Sequence, residues 1–194
     1  MHIQIRPLEG RYVRLEPLEA RHKRGLQAAL NCDEEAWEVM LSNGCGDFDN
    51  WWARAIGGKR RGERITFAIR DLESGRIVGT TAFFNIRAEH KGVEIGSTFL
   101  HPDVRSGPVN AESKRLLLGH AFDAGAIRVE FRVDERNARS EAALTKLGAT
   151  KEGTLRRHMI TWTGYVRDTA VFSITDRDWP GVRDRLDFRL RETF

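Results

Sequence analysis

The stretch HPDVRSGPVNAESKRLLLGHAF, residues 101 to 122, carries the types of residue that hold an anion. Arg105, Ser106, Gly107, Val109 and Asn110 lead into a helical pattern, where free backbone N–H groups and the helix dipole favour negative charge. Gly107 permits close backbone approach, while Pro108 supplies no N–H. A second pattern is Asn137 with Ser140 three residues on, at the start of NARSEAALTKLGA, where an asparagine suits a helix cap. The side chains that could accept a proton are Glu94 in VEIG, Glu112 in the first turn after the loop, and His158. Cys32 and Cys45 are far from any CxxC spacing and read as free thiols, and no His/Cys cluster has metal-ligand spacing.

The elements that must position these groups follow from periodicity. YVRLEPL alternates as a first strand, and a helix is expected from Glu19 to Leu30. Another helix contains Trp51, Trp52 and Ile56 and should stop at Gly57 and Gly58. ITFAIR and RIVGTTAFFNI form a hairpin through DLESG, and VEIGSTFLHP is a fourth strand ended by Pro102. Leu117, Leu118, Ala121 and Phe122 mark the buried face of the helix after the loop. RVEFRV alternates with Val129, Phe131 and Val133 inward. A helix from Asn137 to Gly148 follows, then a closing hairpin around TG, then a short helix carrying Val182, Leu186 and Leu190.

A chain of 194 residues, 40% apolar and 31% charged, predicts one domain over 1–194. No apolar run reaches membrane-span length and the charged start lacks a signal-peptide pattern, so a cytoplasmic location without membrane attachment is expected. The formal net charge of +4 resides in RAIGGKRRGER, residues 54 to 64, read as a Gly-rich basic loop. That stretch lacks interleaved aromatics and the rest of the chain is neutral, which argues against nucleic acid as a partner.

In this order the elements resemble the GNAT acyltransferases, most closely their RimJ/RimL branch. The resemblance runs from RYVRLEPL to TDRDWP, carried by VEIGSTFL, NAESKRLLLGHAF, NARSEAALTKLGA and GTLRRHM…GYVRDTAVFSI. It implies a mixed α/β fold: a mostly antiparallel sheet of about seven strands, splayed between strands 4 and 5, with about four helices and a short C-terminal one. It implies acetyl-CoA as donor and a primary amine, a protein N-terminus or a small molecule, as acceptor that attacks the thioester directly.

Within the resemblance, residues 105 to 110 occupy the place of the R/QxxGxG/A loop that holds the CoA pyrophosphate, with one glycine retained. Phe99 and Leu100 hold the strand positions whose backbone meets the pantetheine arm, and Asn137 a further contact. The tyrosine that protonates the departing thiolate in many relatives is replaced by Leu144, and Ser140 is the hydroxyl implied in its stead. Glu94 is the first choice of base, Glu112 the second and His158 the third. Trp51, Trp52, Trp162 and Tyr165 either wall the acceptor pocket or form core or homodimer contacts. The alternative function is a catalytically silent CoA-binding or regulatory module.

Overall fold

The structure is a computed structural model, and it describes residues 1–193. Its frame is one eight-stranded sheet in the order β1-β2-β3-β4-β5-β6-β8-β7. The strands are β1 (Leu8–Glu9), β2 (Val13–Pro17), β3 (Arg64–Asp71), β4 (Ile77–Arg87), β5 (Gly92–Leu100), β6 (Arg128–Asp134), β7 (Thr150–Ile160) and β8 (Val166–Thr175). All neighbours are antiparallel except β5 and β6, which are joined by a helical crossover. The strand beyond the seven expected is β1, two residues paired with β2.

Six α-helices accompany the sheet among the described residues: α1 (Lys23–Leu30), α2 (Glu34–Glu38), α3 (Phe48–Arg60), α4 (Pro108–Asp123), α5 (Ala138–Leu147) and α6 (Trp179–Glu192). On one face, Leu117, Leu118 and Ala121 of α4, Leu144 and Leu147 of α5, and Val182, Leu186 and Leu190 of α6 pack with Val93, Ile95, Val129, Phe131 and Val133. The opposite face is covered over only part of its width. There Leu26, Leu30, Trp37, Phe48, Trp51 and Ala55 pack on Ala68 and Phe99.

Several boundaries differ from the sequence reading. The helix expected from Glu19 begins as a 3-10 turn over Ala20–His22 before α1. Helix α3 continues through Gly57 and Gly58, so the basic stretch is largely helix end rather than loop. The reason is packing: a Cβ at Gly58 would lie 2.7 Å from the Arg64 side chain, so glycine there lets the helix lie close to β3. The turn falls instead at Gly62, whose φ of 71° is left-handed. Helix α6 has 14 residues and is not short. The Asn137 cap and the Gly148 stop of α5 stand where the sequence indicates, Gly148 with φ 92°. No helix of the described residues is long and apolar enough to cross a membrane.

Candidate active site

The sheet forks between β5 and β6. They pair through Gly92–Arg128, Val93–Val129 and Glu94–Glu130, and no further rung follows. Just beyond, β5 takes up an extra residue against β4 around Ser97, whose φ is 48°. Such a bulge bends a strand and interrupts its ladder. Downstream, His101 N–H donates to the Val78 carbonyl at 2.8 Å and the Phe99 carbonyl abuts Gly79, so these residues turn their backbone groups toward β4. By the alternation of a strand, Thr98 and Leu100 face the open side. This corrects the expectation for Phe99, whose backbone faces β4 and whose ring is core, stacked on Trp37 at 4.5 Å. The Leu100 carbonyl is already taken by Arg105 Nε at 2.9 Å, which leaves its N–H.

The open ends of both strands lead into helix N-termini, β5 through residues 101–107 to α4 and β6 through 135–137 to α5. Ser106 is left-handed with φ 67°, Gly107 is the N-cap in an extended conformation, and Pro108 is the first helical residue. No side chain caps this helix, so the first-turn N–H groups of Val109 and Asn110 have no intrahelical partner. The Val109 side chain is buried in the core. A Cβ at Gly107 would meet only the Val104 carbonyl, at 3.6 Å, so the fold itself does not demand glycine there. Arg105 is not a free cation: its guanidinium pairs with Asp33 and lies 5.4 Å from the Phe99 ring centre. Asp33 also reaches Arg139 at 4.0 Å, on the first turn of α5. Asn137 spends its side-chain oxygen on the Ser140 N–H at 3.0 Å, and the half-buried Ser140 hydroxyl makes no hydrogen bond among the described residues.

Glu94 and Glu112 differ sharply in surroundings. Glu94 lies on the last rung, 3% exposed, on the face opposite Val93 and Ile95. Burial pushes its carboxyl up, and neighbouring Glu130 adds to this, against the lowering effects of the Asn85 amide at 2.7 Å and of Arg132 and Arg87. Arg132 Nε approaches Glu94 to 3.5 Å but is not aimed to donate. Glu130 is also buried, yet hydrogen bonds from Arg128 and Arg87 outweigh desolvation and hold it below the usual carboxylate range. Glu112, by contrast, accepts the backbone N–H groups of Arg11, Tyr12 and Val13 at 2.7–2.8 Å. It ties α4 to the turn before β2, and Gly10 is needed because any Cβ there would collide with its carboxylate. Glu112 therefore has a structural task away from the fork.

One residue at the fork escaped the sequence reading. Lys114 of α4 is 8% exposed, donates to Thr98 Oγ1 of β5 at 2.8 Å and stands 6.0 Å from the Phe131 ring centre of β6. No carboxylate pairs with it among the described residues, and burial pushes its ammonium down to about 8. Its spacing from Ala111 and Leu118, three residues after the one and four before the other on one buried helix face, was the available signal.

On the partly covered face, the tip of the β7–β8 hairpin folds toward α2 and α3. Trp162 Nε1 donates to the Trp37 carbonyl at 2.8 Å, and Trp51 and Trp162 line one pocket of about 370 Å³ with Asp47, Asn50 and Arg54. Trp52 stacks on Phe48 instead, and Tyr165 lies under the Arg136 guanidinium at 3.6 Å. His158 is hydrogen-bonded to Thr169 Oγ1 at 3.2 Å. Burial, then the charges of Arg132 and Arg167, push it below the ordinary histidine value.

Comparison with known proteins gives this geometry a context. The family model described as acetyltransferase (GNAT) domain matches residues 13–150. A curated Bacillus subtilis (strain 168) protein, the uncharacterized N-acetyltransferase YoaA, is 31% identical over 111 residues, 57% of this chain and 62% of that protein. The chain thus spans less than two thirds of that relative. The crystal structure of a GCN5-related N-acetyltransferase from Brucella melitensis superposes with a TM-score of 0.90 at 29% identity, covering 98% of this chain and 87% of that one. A RimJ structure from Mycobacterium smegmatis, in complex with CoA-disulfide, has a TM-score of 0.78 at 24% identity over 95% of this chain and 93% of that one, a likeness that carries the fold alone.

Proposed function

The chain belongs to the GNAT acetyltransferases, and from that premise we propose that it transfers the acetyl group of acetyl-CoA to a primary amine by direct attack of the amine on the thioester. The observation that carries the reading is the fork: a buried carboxyl with a raised proton affinity stands on the last rung before two strands part. A base tuned upward in this way can take the proton of an attacking ammonium near neutral pH. In this reading the N–H groups of Thr98 and Leu100 on the open edge suit the donor arm and the thioester carbonyl. The uncapped start of α4 after Gly107 suits the pyrophosphate.

Two groups supply charge or a proton where the thiolate departs. The Ser140 hydroxyl is available as a hydrogen-bond donor at the start of α5. The Lys114 ammonium, set between β5 and β6, offsets developing negative charge. A RimJ/RimL-like relationship, with a protein N-terminus or a small amine as acceptor, rests on the motifs NARSEAALTKLGA and GYVRDTAVFSI.

A silent CoA-binding module is the second reading, favoured by Arg105, whose charge Asp33 already neutralises. The experiment is steady-state release of free CoA with N-terminal peptides, polyamines and amino acids as acceptors, beside a thermal shift with acetyl-CoA. Release with at least one amine supports transfer. A shift without release by any acceptor supports the silent module, and neither signal overturns both.

A further inference from the structure

The open face beside Glu94 carries more cationic hydrogen-bond donors than the protein itself satisfies. Arg167 of β8 is 5% exposed, yet no carboxylate of the described residues pairs with it. Its Nε donates to Thr169 Oγ1 at 2.8 Å, and its terminal nitrogens have no acceptor among the described residues. Nor are those nitrogens sealed in the core, since the buried side-chain polar atoms without a partner are Arg64 Nη2, Arg132 Nε and Ser113 Oγ. They therefore open onto solvent space from an otherwise buried residue. Asp134 and Glu94 act on Arg167 only from longer range, and Asp134 is held by Arg136 at 2.7 Å.

Arg132 adds to this surplus. One terminal nitrogen reaches Glu130 at 3.3 Å, but its buried Nε is unsatisfied and faces Glu94 at 3.5 Å. Thr169 links Arg167 to His158 on the next strand. A row of donors thus runs from the fork along β6, β8 and β7, on the same face as Glu94. The buried Nε of Arg132 is costly without an acceptor, whereas the terminal nitrogens of Arg167 remain open to a ligand from solvent. Guanidinium groups match the planar, two-oxygen geometry of a carboxylate.

We infer that the acceptor amine carries a carboxylate within a few bonds of its nitrogen, held by Arg167 and Arg132 while the amine faces Glu94. This rests on the acetyl-transfer reading for its amine but not for its anion. Glu94 is close enough for its charge to act on Arg167, and Arg132 stands beside Glu94, so one small molecule can bring its anion and its amine to these groups together. α-Amino acids and close homologues have the required chemistry, whereas the amino end of a long peptide lacks the anion there.

The test uses the full chain with α-amino acids, each paired with its carboxamide, and reads kcat/KM from CoA release. The carboxamide is the weaker base, so rates are referred to the free-amine concentration. The free acid should exceed the carboxamide by roughly tenfold or more, and in Arg167→Met that ratio should fall toward one. Arg167→Lys, which keeps the charge but not the planar fork, should retain part of the ratio. Calorimetric titration of the same pairs in the presence of CoA reads binding without turnover. Preference for the acid in binding, with no release from any acceptor, would sustain the anion site and retire acetyl transfer. Equal kcat/KM and equal binding for acid and carboxamide in the parent would overturn the inference. So would tighter binding of an aminoalkyl phosphate than of the matched amino acid, which assigns the donors to phosphate.

Discussion

Glu94 and Glu130 face each other on the last rung of the parallel β5–β6 ladder, and their surroundings drive the two carboxyls in opposite directions. Divergence of this kind separates a proton acceptor from a charge anchor. Glu130 stays ionised to hold Arg87 at 2.5 Å, while Glu94 keeps its proton to higher pH.

Glu94→Gln should lower kcat by roughly 10²- to 10⁴-fold and remove the rise of rate with pH that ionisation of the base produces. Its effect on stability has the opposite sign. Between the ordinary carboxylate value and the raised one, the native state binds more protons than the unfolded state, so stability falls as pH rises and stays lowered at neutral pH. The variant should therefore melt at a higher temperature than the parent at pH 7 and lose that advantage at pH 4. Calorimetric melts at the two pH values, with rates measured on the same preparations, check both signs.

Gly107→Val tests the anion loop. The space around this glycine accommodates a Cβ and its φ of −83° suits any residue, so the variant should fold with a melting temperature near the parent's. A branched side chain at the N-cap would still obstruct a pyrophosphate approaching the N–H groups of Val109 and Asn110. Acetyl-CoA should then give no thermal shift at concentrations that shift the parent. A normal shift would move the anion site elsewhere.

Lys114→Met is expected to stabilise the protein at neutral pH and slow it. The native ammonium titrates near 8 instead of 10.5, so between those values the unfolded chain holds more protons and stability rises with pH. Below about 8 the buried charge carries a constant penalty on the order of 3 kcal/mol, which methionine removes. If the ammonium aids departure of the thiolate, the parent's kcat should decline above pH 8. In the variant that decline should vanish and kcat should be roughly 10- to 100-fold lower.

Ser140→Ala should lower kcat by roughly 10- to 1000-fold while acetyl-CoA affinity stays near the parent's, because a hydrogen bond to sulfur strengthens only as charge develops. Single-turnover rates beside equilibrium binding separate the two effects. Full activity would leave Lys114 or water as the proton source.

Glu112→Gln should cost about 1–3 kcal/mol of stability, since three backbone N–H groups lose a charged acceptor. Chemical denaturation measures this. At temperatures where the variant is folded, its kcat should match the parent's within about threefold, the result that distinguishes a tie between α4 and β2 from a base.

Local signals in the sequence were enough for most of the frame. Alternation marked β6 through Val129, Phe131 and Val133, and the Asn137 cap and Gly148 stop bounded α5. Gly57 and Gly58 misled, because a glycine that permits close packing looks the same in sequence as one that ends a helix. At the site, Glu94 was legible as a carboxylate on a strand that leads to the loop. The occupation of Arg105 by Asp33 was not, since the partners are 72 residues apart. Phe99 was misassigned because the bulge at Ser97 changes which residues face the fork, and a one-residue insertion in a ladder has no mark in periodicity. Arg167 and Arg132 looked like the solvated members of alternating strands, and only the three-dimensional arrangement shows the terminal nitrogens of Arg167 and the Nε of Arg132 without acceptors.

The bond between Asp33 and Arg105 also bears on how the chain comes together. It closes a segment that contains β3, β4 and β5, and Arg139 lies farther along still. Loop-closure entropy opposes so distant a contact until those three strands have paired and drawn its ends together. During synthesis the mouth of the fork thus cannot be knit when its first half emerges; it waits for the crossover helix and β6. The entrance is thus knit by three distant parts of the chain, and a chain that ends before α5 lacks the last of them.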